Sequence, residues 1–214
     1  MGNIIQDWIL DYLRTKQPKL EEELEEIRQQ SKQENIPIIE PEVGQLLNLL
    51  VKIQQPTKIL ELGTAYGYST LWLAQNFPGK IVTLELKERE AKVARDNFTR
   101  FGYNNIDLIV GDALEIMPDL NSEFDFIFID AAKGQYLRFL EAGLNLITDG
   151  GLIVADDVLF KGMIADDRFY HPRFSTLTRV LREYVTEIME DDSLDSSIIP
   201  LGDGVAISRF TATS

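Results

Sequence analysis

The 214-residue chain contains no cysteine and a single histidine, His171. The first absence excludes disulfides and thiolate metal sites, and the second leaves no histidine cluster for a zinc centre. Long apolar runs are also missing, since no stretch approaches the roughly 18 residues needed to cross a bilayer. The N-terminal segment MGNIIQDWIL lacks the basic start and long apolar core of a secretory signal, and Gln6 stands where a myristoylation motif takes Ser or Thr. These features predict a cytoplasmic protein. Cations are scarce beside acids, 21 Lys and Arg against 35 Asp and Glu, for a formal charge of −14. That balance weighs against broad, non-specific phosphate binding, which needs a positive field, but leaves a local basic patch open.

What remains is ordinary for a globular chain, with 44% hydrophobic and 26% charged residues. The length fits one domain, residues 1–214, with residues 1–50 as an N-terminal helical cap. Helical spacing of apolar positions predicts helices over 4–13 (Ile5, Trp8, Ile9, Tyr12) and 20–33 (Leu20, Leu24, Ile27). EEELEEIRQQ reads as a solvated helix face, and Pro37 and Pro41 punctuate the start of a third helix. From residue 58 short apolar runs alternate with amphipathic segments: KILELG, KIVTLEL, IDLIVGD, FDFIFID and GLIVADD are separated by helices. That order predicts a parallel sheet covered on both faces. SIIPLG and VAISRF flank a GDG turn and predict a hairpin. The fold class is therefore α/β, a doubly wound, mostly parallel sheet of seven strands with an antiparallel C-terminal edge.

Ligands of such sheets bind beyond the carboxyl ends of the strands. The residues there are Glu61-Leu62-Gly63, Glu85, Gly111-Asp112, Asp130 and Asp156-Asp157. One acid in that position is usually a helix N-cap; five consecutive strands ending in acids point to a site. ILELGTAYGYST carries Gly63 and Gly67 as G-x-x-x-G, not the G-x-G-x-x-G of a dinucleotide cradle. Glu85 ends the next strand, where an acid can accept from both hydroxyls of a ribose. With Asp112 after the third strand, these residues suggest an adenosine pocket without a pyrophosphate cradle.

ILELGTAYGYS, IVTLEL, IVGDA, FIFIDAAKGQY and GGLIVADDVL, in this order, resemble the cation-dependent O-methyltransferases of the class I, Rossmann-like S-adenosylmethionine fold, which include the catechol and caffeoyl-CoA enzymes. The resemblance covers roughly residues 35–210. Within that family FIDAAKGQY, VLFKG, IIPLGDGVAIS and IPIIE are most similar to the bacterial tRNA 5-hydroxyuridine methyltransferases. The resemblance implies that S-adenosylmethionine is held by the Ile39 backbone, Gly63 and Ser69, with Glu85 at the ribose, Asp112 and Ala113 beside the adenine, and Asp130 near the methionine end. Glu61 and Gly67 complete the expected cofactor-binding set.

Asp130, Asp156 and Asp157 belong to the ends of two strands expected to be neighbours. Converging carboxylates repel, and each tends to take up a proton unless a cation joins them. Oxygen donors suit a hard divalent ion such as Mg2+, Mn2+ or Ca2+, so the three are read as metal ligands. Such an ion would lower the pKa of an acceptor hydroxyl and align its oxygen with the sulfonium methyl. The resemblance makes Lys133, beside Asp130, a catalytic residue, as general base or as orienter, with its pKa depressed by the cation. The family usually carries Asp-Asn where this chain has Asp156-Asp157, so Asp157 adds a negative charge.

Residues 158–182 form the expected lip for the methyl acceptor. Lys161, Arg168, His171, Arg173, Arg179 and Arg182 interleave there with Phe160, Phe169, Tyr170 and Phe174. Basic and aromatic groups together suit single-stranded RNA. Alternatively the aromatics pack the loop and the arginines pair with Asp166, Asp167 and Glu183, with His171 structural. Two acceptors are thus open, 5-hydroxyuridine in a tRNA anticodon loop or a small catechol-like diol, with a non-enzymatic binding module a distant third. Trp8, Ile9 and Tyr12 are expected to cap the cofactor or to form a homodimer interface.

Overall fold

The computed structural model describes residues 5–16, 21–169 and 171–212. Leu20 and Tyr170 lie outside the described residues, as does the side chain of Phe169. Three N-terminal helices come first: α1 (Asp7–Lys16), α2 (Glu22–Glu34) and α3 (Pro41–Gln54). Asn35 ends α2 in a left-handed conformation, its N–H reaching back to the Ser31 and Lys32 carbonyls. Pro41 opens α3 at its first turn, where a missing N–H costs nothing.

The sheet strands are β1 (Lys58–Leu62), β2 (Lys80–Glu85), β3 (Ile106–Val110), β4 (Phe124–Ile129), β5 (Ile147–Ala155), β6 (Leu194–Ile199) and β7 (Val205–Phe210). Between them run α4 (Tyr68–Ala74), α5 (Glu88–Arg100), α6 (Ala113–Ile116), α7 (Tyr136–Leu144) and α8 (Ser175–Glu190). Strand order is β3-β2-β1-β4-β5-β7-β6; the first five are parallel, and β7 pairs antiparallel with both β5 and β6. The expected doubly wound sheet with a hairpin edge is what forms.

The period of two along each strand splits the core between two faces. Phe126 and Phe128 of β4 face a cluster with Leu47 of α3 and Leu71 of α4, while Ile127 and Ile129 face Leu140 of α7 and Leu181 of α8. All eight are nearly or wholly buried, each contributing on the order of 1.5–3 kcal/mol through removal from water. Among the described residues no helix is long and apolar enough to cross a membrane.

Of the two roles expected for the apolar stripe of α1, capping the cavity is not what forms: the stripe faces outward, with Trp8 68% and Tyr12 60% exposed and Ile9 only half-buried. The buried residue is Leu10, which with Ile5 and Arg14 lines the cavity described below. A polar latch fixes that face: Arg14 donates to Glu42 Oε1 at 2.8 Å and to Glu40 Oε2 at 3.0 Å.

Candidate active site

The chain runs outward from β1 through β2 to β3 and then returns to β4, so the switch of direction lies between β1 and β4. Loops leaving two such strands diverge and open a crevice. Backbone bonds step across this edge, from Gly111 N to Glu85 O, Gly63 N to Leu84 O, Asp130 N to Leu62 O, and Asp156 N to Ile129 O, all 2.9–3.0 Å. The ladder aligns the strand ends and sets Asp130 beside Asp156, each one residue past the paired Ile129 and Ala155.

A cavity of about 780 Å³ follows this edge. Ile39, Gly63, Ser69, Glu85, Asp112, Ala113, Asp130, Lys133, Asp156 and Asp157 all line it, so most of the expected site residues are brought together. Gly63 permits the close approach of two loops. Its φ is +97°, and a Cβ there would stand 2.2 Å from the Asp130 carbonyl oxygen.

At one end, Glu85 organises the glycine loop. Its Oε2 accepts from Thr64 N and Ala65 N at 3.2 and 2.8 Å, and its Oε1 from Lys87 N at 2.9 Å. Oε1 keeps a further lone pair to offer a ligand. Asp112 does cap a helix, accepting from Leu114 N, while also facing the cavity.

Glu61 and Gly67 are placed elsewhere. Glu61 is wholly buried beneath the loop, where its Oε2 accepts from the hydroxyls of Thr70 and Thr83 at 2.5 and 2.6 Å. Its Oε1 has no partner, and burial pushes the carboxyl up to about 7. Gly67 (φ +86°) starts α4 and packs against the Phe98 ring, which a Cβ would meet at 2.4 Å. Neither lines the cavity, so both support the glycine loop from behind.

At the other end the carboxylates crowd. Burial, then the Asp157 charge, pushes Asp130 up to about 6, and burial with the Asp130 and Asp157 charges raises Asp156 well above the usual range. Tyr136 of α7 anchors this point by donating to the Asp156 carbonyl at 2.9 Å. Asp157 adopts a left-handed φ of 61°, and its Oδ2 lies 2.5 Å from Lys133 Nζ. Burial alone would lower the Lys133 pKa, but the charge and hydrogen bond of Asp157 reverse this and leave it raised. The direction is set by the negative neighbours of Lys133, whereas the depression expected of it belongs to a site that holds a cation.

Among the described residues no three acidic or histidine side chains are gathered closely enough to hold a metal ion. The chemistry of the site nevertheless suits one. All its donors are oxygens, the acids repel one another, and buried Asp156 Oδ1 has no hydrogen-bond partner.

The lip resolves largely toward internal pairing. Arg168 meets Asp166, Arg182 meets Asp167 and Arg179 meets Glu183 at 2.5–2.7 Å. Phe160 and Phe174 stack edge to face at 5.4 Å. His171 Nδ1 accepts from Arg173 N and caps a short turn, a structural role. Lys161 lines the cavity, its backbone N–H held by the Asp203 carboxylate and its ammonium in no ion pair among the described residues.

Residues 14–210 match the family described as O-methyltransferase. A catechol O-methyltransferase of Niastella koreensis is 40% identical over 63% of this chain; the match spans 64% of that protein, less than two thirds of its length. A caffeoyl-CoA O-methyltransferase of Stellaria longipes is 30% identical over 90% of this chain and 85% of its own. Among solved structures, the O-methyltransferase TomG of Streptomyces achromogenes, in complex with S-adenosylmethionine, superposes with a TM-score of 0.84 at 28% identity, covering 94% of this chain and 95% of that one.

Proposed function

The chain belongs to the O-methyltransferase family, and on that premise we propose that it moves a methyl group from S-adenosylmethionine to a hydroxyl held between Asp130, Lys133 and Asp156. One observation carries the reading: a single cavity joins Gly63, Ser69, Glu85 and Asp112 to that carboxylate cluster. Glu85 would accept from the ribose hydroxyls, Ile39 and Ala113 would enclose the cofactor, and Gly63 would let it lie close to the backbone. Its volume, at about 780 Å³, falls in the usual range for small-molecule sites.

Asp130, Asp156 and Asp157 would hold a divalent cation, Mg2+ being the natural choice for oxygen donors. When bound it would offset their repulsion and make the acceptor hydroxyl more acidic. Lys133, held by Asp157, would stand at the acceptor oxygen, to orient it or to take its proton. That oxygen, its proton passed to a neutral Lys133 amine or to solvent, would attack the methyl carbon as the carbon–sulfur bond breaks, leaving S-adenosylhomocysteine.

Lys161, Asp203, Asp157 and Arg14 put polar groups on the cavity wall, alongside Ile5, Leu10, Ile36 and Ile38. This supports a hydroxylated ring rich in hydrogen-bonding groups, such as 5-hydroxyuridine in a tRNA anticodon loop. A second reading, a catechol-like diol, is favoured by the paired lip arginines and by the named relatives. Offering tRNA bearing 5-hydroxyuridine and a simple catechol in parallel, with labelled cofactor, decides between them. Labelled tRNA with slow catechol turnover supports the first; labelled catechol alone supports the second. The outward faces of α1 and α3, with Trp8, Tyr12, Leu49 and Ile53 exposed, suit a cytoplasmic homodimer.

A further inference from the structure

Asp203 occupies the turn between β6 and β7, outside the set of strand-end acids. Because β7 runs antiparallel to β5, with Ala206 opposite Ala155, this turn is delivered to the same edge as Asp156. The turn and the loop after β5 are moulded on each other. Val158 N donates to Gly204 O at 3.0 Å and Leu159 N to Asp203 O at 2.9 Å. Gly204, at φ +93°, lies so close to Leu159 that a Cβ would meet its Cγ at 2.4 Å.

Within that loop Phe160 and Lys161 both take left-handed φ values, 45° and 56°. Such conformations cost on the order of 1 kcal/mol or more for a non-glycine residue and need external support. Asp203 supplies it, since its Oδ1 accepts from Lys161 N. That bond occupies one oxygen. Asp203 also lines the cavity, half-buried beside Asp157 and Lys161, and Oδ2 has no hydrogen-bond partner among the described residues.

We infer that Asp203 is a specificity-determining residue of the acceptor site, its Oδ2 receiving an O–H or N–H donor of the acceptor ring while its Oδ1 holds the lip in shape. The assignment rests on the methyl-transfer reading above. A carboxylate fixed on one oxygen and free on the other is a rigid acceptor, and rigid acceptors discriminate strongly against rings that lack the donor. Burial pushes the Asp203 carboxyl up to about 6, as expected of a group short of hydrogen-bond donors.

Asp203→Asn separates the two roles, because its amide oxygen can still accept from Lys161 N while its NH2 replaces the free acceptor with a donor. The expected result is a rise of about tenfold or more in KM for the methyl acceptor, the loss of roughly one hydrogen bond to a charged group. Affinity for S-adenosylmethionine and thermal stability should stay near wild type. Asp203→Ala should lose both acceptor affinity and stability. An unchanged acceptor KM in Asp203→Asn would overturn the assignment, as would a parallel loss of cofactor affinity and stability in that variant. Failure of the wild-type chain to transfer methyl to either acceptor would instead remove the functional reading, and this assignment with it.

Discussion

Glu61 offers a quantitative test of the packing behind the glycine loop that follows β1. Its carboxyl is wholly buried, accepts two threonine hydroxyls on Oε2 and leaves Oε1 without a partner. Burial raises it from 4.5 to about 7. The folded state therefore holds this proton more tightly than the unfolded chain, and stability declines as pH rises through the interval between the two values. At about 1.36 kcal/mol per pKa unit, the loss from this group between pH 5 and pH 8 is about 2–3 kcal/mol. Glu61→Gln retains an oxygen for Thr70 and Thr83 but does not ionise. Relative to wild type, the variant should gain about 2–3 kcal/mol on moving from pH 5 to pH 8, whatever its offset at pH 5. For a chain of this size that corresponds to roughly 5–10 °C in Tm. Denaturant titrations of both proteins at the two pH values measure it. A difference that does not change with pH would show that Glu61 ionises normally, and the account of this buried acid would be wrong.

Gly63→Ala should lower stability by about 2 kcal/mol or more and cofactor affinity at least tenfold, because the added Cβ meets the Asp130 carbonyl at a left-handed φ; calorimetric titration and a denaturation curve check both. Glu85→Ala leaves the Thr64, Ala65 and Lys87 amides without their acceptor. It should cost about 1–3 kcal/mol and weaken cofactor binding, with little change in Mg2+ affinity by direct titration. Asp157→Asn removes the main charge that raises Lys133. The Lys133 ammonium should then titrate at a lower pH, followed by NMR of 15N-labelled lysine; an unmoved titration would contradict the pairing.

Much of the sheet was legible because its strands are short, apolar and closed by acids. Asp130, Asp156 and Asp157 stood out for that reason, and the strand order does place the first two side by side. Glu61 was misplaced by treating the strand end as one unit. The alternation that sends Ile59 into the cluster with α4 sends Glu61 the same way, two residues on, toward Thr70. In α1 the more hydrophobic stripe stays exposed, whereas the inward face is set by Leu10 and by Arg14 one turn later, reaching Glu42. Nothing local announces that contact. The GDG turn also signals the place of Asp203, because an antiparallel last strand begins at the carboxyl edge of its parallel neighbour. The lip pairing of Arg182 with Asp167 depends on how α8 crosses the loop, which spacing does not show.

The central claim is methyl transfer at the junction of β4 and β5, and labelled-methyl transfer from S-adenosylmethionine to a hydroxyl acceptor tests it most directly. Wild type should be assayed with Mg2+ and with excess chelator, beside Asp156→Ala. The account predicts transfer by wild type with Mg2+, and loss of that transfer on chelation and in Asp156→Ala while the variant still binds the cofactor. Full transfer by wild type in chelator, or by the variant, would contradict it.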